Sequence, residues 1–164
     1  MRNQGATFSA CRTYRYALWR EVDPASPATL VFIGLNPSTA DENTDDQTIR
    51  KCIGFSKRWG YGKLVMLNLF AFRATDPRKL TGLAISDAVG PENDKKLIEQ
   101  TSESAIAGLP VICAWGDCGA DQRAREVTTM LKREGRTLMC LGKTKRGYPK
   151  HPSRLSYDSA MVPM

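Results

Sequence analysis

The chain has 164 residues, 41% of them hydrophobic and 25% charged, with a formal net charge of +7. That length and balance suit one globular domain with its own core and argue against a disordered segment. No apolar run approaches the roughly 20 residues needed to span a bilayer, and the opening MRNQGATFSA has no signal-peptide core, so a monomer in the cytosol is expected, with no membrane partner.

Taken in chain order, Thr13 to Val22 is rich in aromatic residues and alternates loosely, which predicts a strand segment at about residues 9–22 ahead of the core. Asp23 to Pro27 is turn chemistry. Leu30 to Ile33, Leu64 to Leu67, Val111 to Ala114 and Thr137 to Leu141 are short apolar runs bounded by Gly, Asn, Pro or charge, as strands buried on both faces are. Helical spacing falls between them. Asp46 to Trp59 places Ile49, Cys52, Ile53 and Phe55 on one side; Pro91 to Ala107 turns Leu97 and Ile98 inward; Gly119 to Glu134 carries Ala124, Val127 and Leu131. The order β-β-α-β-α-β-α-β predicts a single α/β domain over residues 1–164. Its sheet is expected to be mostly parallel, of about four strands, with helices on both faces as a three-layer sandwich.

In open sheets of this kind ligands bind beyond the C-terminal ends of the strands. The segments leaving the strands are Gly34-Leu35-Asn36-Pro37-Ser38, Asn68-Leu69-Phe70, Trp115-Gly116-Asp117 and the stretch from Gly142 to Ser156. Gly34 and Pro37 give a sharp exit that turns Asn36 toward the crevice, where its amide can orient a water. The same Asn-Pro-Ser is also an ordinary turn in which Ser38 satisfies local backbone. Asn68 can pair with the edge of an amide-like base or cap its own strand. His151, the only histidine, stands between Pro149 and Pro152 and is bracketed by Lys143, Lys145, Arg146, Lys150 and Arg154. A stiff loop of that kind can aim an imidazole at an oxygen that gains charge. The basic bracket can hold phosphates. Asp41, Glu42, Asp45 and Asp46 are read as the start of a helix, in preference to water activation or Mg²⁺ binding. The five cysteines include no Cys-x-x-Cys pair, and with one histidine in the chain no metal site is expected at Cys113 and Cys118.

Together these segments resemble short motifs of the uracil-DNA glycosylase superfamily, in the same order. Gly34-Leu35-Asn36-Pro37-Ser38 is similar to the motif whose Asn positions water, and Met66-Leu67-Asn68 to the one whose Asn reads a flipped base. Ala114-Trp115-Gly116 is similar to a Trp-Gly pair ending a later strand. His151-Pro152-Ser153-Arg154-Leu155-Ser156 differs at one position from His-Pro-Ser-Pro-Leu-Ser, whose His stabilises the departing base and whose Leu wedges into the duplex. The chain is also similar to a family of small uncharacterised bacterial proteins sharing Asn-Pro-Ser-Thr-Ala-Asp.

The resemblance implies a uracil-DNA-glycosylase-like fold and hydrolysis of the N-glycosidic bond of uracil or a related base in DNA, with no cofactor. It implies Asn36 and His151 as catalytic, and Asn68 with Gly34, Pro37 and Ser38 as base-binding. Phe70 or Phe72 would supply the ring that stacks on the base. Lys145, Arg146, Lys150, Ser153, Arg154 and Leu155 would contact DNA, single- or double-stranded, through the basic 143–154 segment, which would place the protein at the nucleoid. The alternatives are an enzyme acting on free nucleotides or a modified base, and a base-binding module without turnover.

Overall fold

A computed structural model describes residues 3–117 and 119–164. The chain opens with a hairpin, β1 (Gln4–Phe8) and β2 (Arg15–Glu21), followed by β3 (Thr29–Gly34). Helix α1 (Gln47–Arg58) leads into β4 (Lys63–Asn68). A 3₁₀ turn at Pro77–Gly82 precedes α2 (Ile85–Val89) and α3 (Asn93–Ile106). Then come β5 (Val111–Cys113), α4 (Asp121–Arg133), β6 (Leu138–Cys140), a 3₁₀ turn at Pro152–Arg154 and the short β7 (Val162–Pro163).

Among the described residues the strands join one seven-stranded sheet in the order β1-β2-β4-β3-β5-β6-β7. The α/β class expected from the sequence is correct, while the sheet is wider and more mixed than about four mostly parallel strands. The pairs β3–β4, β3–β5 and β5–β6 are parallel. The pairs β1–β2, β2–β4 and β6–β7 are antiparallel. The predicted early strand is thus the second arm of a hairpin that lies against β4. No helix among the described residues is long and apolar enough to cross a membrane.

Strand alternation divides the core into two halves. Val31, Ile33, Val65, Leu67, Val111 and Cys113 point to the face covered by α2, α3 and α4, where they meet Ala88, Leu97, Val127 and Leu131. Leu30, Phe32, Leu64, Met66 and Ile112 point the other way, onto Ile49, Cys52 and Phe55 of α1. Both faces of the central strands are therefore apolar, which is why those segments read as continuous hydrophobic runs. Helix α1 starts where Asp46 accepts a hydrogen bond from the Ile49 amide at 2.9 Å, a side-chain cap on an otherwise orphaned donor.

The chain order places a crevice over the middle of the sheet. From β3 the path runs to β4 on one side, then returns across β3 to reach β5 on the other. The loops after β3, β4 and β5 consequently diverge around one opening at the strand C-termini.

Gly62 sets how α1 delivers the chain into β4. A Cβ there would lie 1.7 Å from the Ser26 carbonyl oxygen and 2.6 Å from that of Asp23. Its own carbonyl accepts from the amides of Val22 and Asp23, so neither backbone segment can step aside without breaking the other's bonds. Gly62→Ala is expected to cost roughly 2–4 kcal/mol of stability, read as a lower urea midpoint with an unchanged slope.

Candidate functional site

A cavity of about 390 Å³ opens at the C-terminal ends of β3, β4 and β5, within the size range of small-molecule sites. Each of those strand ends contributes to its wall: Leu35, Asn36 and Ser38 after β3; Met66 and Asn68 on β4; Trp115, Gly116 and Asp117 after β5. Arg15 of β2, Asp46, Thr48 and Ile49 at the start of α1, and His151 complete it, with Ala74, Thr75 and Pro77 on the far side.

Asn68 is the most constrained of these groups. It is only 2% exposed, and its side-chain Nδ2 is buried without a hydrogen-bond partner. Leaving such a donor unmet costs about 1–3 kcal/mol, so a ligand acceptor at that atom would recover real free energy. Two residues from the helical layer lock the backbone that carries it. Asn93 donates from Nδ2 to the carbonyls of Asn68 and Leu69 at 3.1 and 3.0 Å, and Arg123 donates from Nε to the Leu69 carbonyl at 2.9 Å. Gly34, paired with Asn68 across the ladder, supplies the room. A Cβ at Gly34 would stand 2.9 Å from Asn68 Oδ1 and 2.6 Å from Met66 Cε.

Asn36 is held by its donor end. Its Nδ2 gives hydrogen bonds to the carbonyls of Pro37 and Ala74, at 3.0 and 2.8 Å. That fixes the amide's orientation and leaves Oδ1 as an acceptor on the cavity wall. Pro37 itself does not line the cavity; its carbonyl anchors both Asn36 and the Ala74 amide.

His151 caps the 3₁₀ turn at Pro152–Arg154. The Ser153 amide points at its Nδ1 at 3.3 Å, with Ser153 Oγ 2.9 Å away. An amide N–H can only donate, so Nδ1 is the acceptor and the neutral ring carries its proton on Nε2. The residue keeps exposed surface, yet the protein packed around the ring pushes its pKa below the ordinary 6.5, with Asp46 pulling the other way. The neutral form is therefore favoured at pH 7. Its loop is pinned by the Gly116 amide donating to the Pro149 carbonyl and by Lys150 donating to that of Gly142, both at 3.0 Å.

The acidic run is accounted for locally. Asp41 accepts from the amides of Asn43 and Thr44, Glu42 pairs with Arg12 at 2.8 Å, and Asp45 pairs with Arg20 at 2.7 Å. Asp46 caps α1 and also reaches the cavity. Cys118 lies outside the described residues; Cys52, Cys113 and Cys140 are buried.

Of the residues singled out from the sequence, Asn36, Ser38, Asn68 and His151 converge on the cavity. Phe70 does not. It is buried in the core cluster that also holds Leu67 and Leu97. Phe72 stands edge-on to Tyr14. The aromatic side chain in the cavity is Trp115. Lys145, Lys150 and Arg154 are exposed, and Arg146 bonds Asp117 at 2.8 Å. Leu155 is half-buried against the α1 side of the core. Sequence reasoning missed Arg15, whose place in a strand of alternating aromatic residues gave no sign that it turns inward.

Residues 15–153 match a family described as "Protein of unknown function (DUF1643)". The chain belongs to this family. That finding overturns the assignment to the uracil-DNA glycosylase superfamily suggested by its short motifs. No curated protein and no solved structure matches the DUF1643 chain.

The histidine geometry has a measurable consequence. Because the folded pKa of His151 lies below its unfolded value, the unfolded chain binds more protons between the two, and stability is lost as pH falls through that window. Denaturation from pH 7.5 to 5 should show this slope, and His151→Gln should flatten it. A ¹⁵N spectrum of the folded protein at pH 7.5 should show the proton on Nε2.

Proposed function

We propose that this protein hydrolyses the N-glycosidic bond of a uracil-like base in DNA. The observation that carries the reading is the buried, unpartnered amide donor of Asn68 on a cavity of about 390 Å³, roomy enough for a nucleobase, with Asn36 and His151 on the same walls. A carboxamide presents a donor beside an acceptor, matching a ring carbonyl beside a ring N–H. Gly34 and the Asn93–Arg123 clamp hold that edge in place before any ligand arrives, which is the preorganisation that binding and catalysis reward.

In this reading water attacks the sugar carbon as its bond to the base nitrogen breaks, and the electron pair leaves with the base. Asn36 Oδ1 accepts one hydrogen of that water. Asp46 makes no ion pair among the described residues and is the carboxylate placed to take its proton. His151, neutral and protonated on Nε2, donates to the base oxygen on which the negative charge grows. The nucleotide is extruded from the strand, at a cost of about a few kcal/mol that falls at mismatches. Lys145, Lys150 and Arg154, exposed beside the His151 loop, supply phosphate contacts, with Ser153 on the same turn.

The test is base release from oligonucleotides carrying uracil, hypoxanthine, hydroxymethyluracil or G·U and G·T mismatches, without added metal. At least one substrate is expected to release its base. His151→Ala and Asn36→Ala should each slow release by about 10²–10³-fold with folding intact. Asp46→Asn keeps the helix cap and should slow it as well. A folded wild type that releases nothing from the whole panel overturns the proposal.

A further inference from the structure

Arg15 is an expensive residue for the position it holds. It is 2% exposed, and it lines the cavity. Its only side-chain hydrogen bond among the described residues runs from Nη1 to the Ala40 carbonyl at 2.6 Å, and its buried Nε meets no partner. No carboxylate among the described residues makes an ion pair with it. Desolvation draws its pKa down to about 10, with Asp46 and Asp41 opposing while Arg73 and Arg20 add to the repulsion. A buried guanidinium without a counter-ion is strongly unfavourable unless something else offsets it. Holding one backbone carbonyl uses a single donor of five.

We infer that the Nε side of Arg15 forms an oxyanion receptor in the cavity, so that the bound molecule carries a carboxylate or a terminal phosphate as well as the amide edge read by Asn68. The inference rests on the reading of the cavity as a nucleobase site and narrows its substrate class. The edge formed by Nε and Nη2 is the one that grips a carboxylate or phosphate with two parallel bonds, and Nη1 is already committed elsewhere. Arg15 is too deeply buried for a phosphodiester running on in both directions to reach. A terminal group can reach it. Such a group has two sources: a carboxylate on the base ring, which keeps the substrate in DNA, or the monophosphate of a free nucleotide.

Calorimetric titration with deoxyuridine, 5-carboxydeoxyuridine and deoxyuridine monophosphate separates these cases. Against the wild type, one oxyanion-bearing probe should bind at least about tenfold more tightly than deoxyuridine. That advantage should vanish in Arg15→Met, an apolar replacement of similar length that removes the buried charge together with the bond to the Ala40 carbonyl, and unchanged binding of deoxyuridine itself shows that the cavity wall is still held. Arg15→Lys, which keeps the charge and loses the fork, should retain only part of it. Preference for the carboxylated nucleoside identifies a modified base, and preference for the monophosphate identifies a free nucleotide. Equal binding of all three probes, or a preference that survives in Arg15→Met, overturns the oxyanion receptor and leaves the nucleobase reading intact. If no probe binds, the nucleobase reading falls and the receptor with it.

Discussion

The cavity exists because guanidinium groups from an antiparallel strand hold a loop that has no regular structure of its own. Arg20 of β2 bonds Asp45 at 2.7 Å and reaches the carbonyls of Asp41 and Thr44, while Arg15, five residues earlier, takes the Ala40 carbonyl. Between them they tie down the chain from the end of β3 to the cap of α1. Both side chains are buried, so their bonds are shielded from competing water and from salt. The acidic run is therefore a set of handles. Its carboxylates and carbonyls let a basic strand fix the wall on which Asn36, Ser38 and Asp46 stand.

The opposite wall is held in a different way. There the backbone after β4 is gripped by Asn93 and Arg123 from the helical layer, and space is granted by Gly34 on the neighbouring strand. Arg123 is itself tied to Asp94 on α3. One wall thus depends on the antiparallel strand β2 and the other on the packing of α3 and α4. Among the described residues, two of the buried donors left unmet, Arg15 Nε and Asn68 Nδ2, belong to cavity-lining residues, one on each wall. Unmet buried donors are rare in folded proteins, and when they cluster in a cavity they point to a ligand.

Much of this was legible from residue order. The apolar runs at Leu30, Leu64, Val111 and Leu138 are strands because both faces of the central sheet are covered, and the polar residues that follow them gather where a parallel arrangement must put them. Asn36, Asn68 and His151 were found on that argument alone. Phe70 was misplaced because the resemblance asked for a stacking ring near Asn68, whereas the residue is buried in the core. Arg15 was hidden because a strand period of two does not say which face is buried when aromatic residues stand on both sides. Strand β1 was missed for want of apolar residues; Gly5 is there because the Trp19 ring occupies the space of its Cβ, at 2.4 Å. The four short motifs suggested a superfamily that the family match replaced, since strand-end Asn, Trp-Gly and His-Pro-Ser segments are brief enough to recur on unrelated α/β chains.

The ladder between β1 and β2 shifts register between Thr7 and Phe8. At the outer margin of a sheet, an irregularity of this kind spoils the row of evenly spaced donors and acceptors that another polypeptide would need to extend it. At the other margin β7 offers two residues, one of them Pro163, which has no amide hydrogen to lend. Both ends of a seven-stranded sheet are thus poor templates for further pairing.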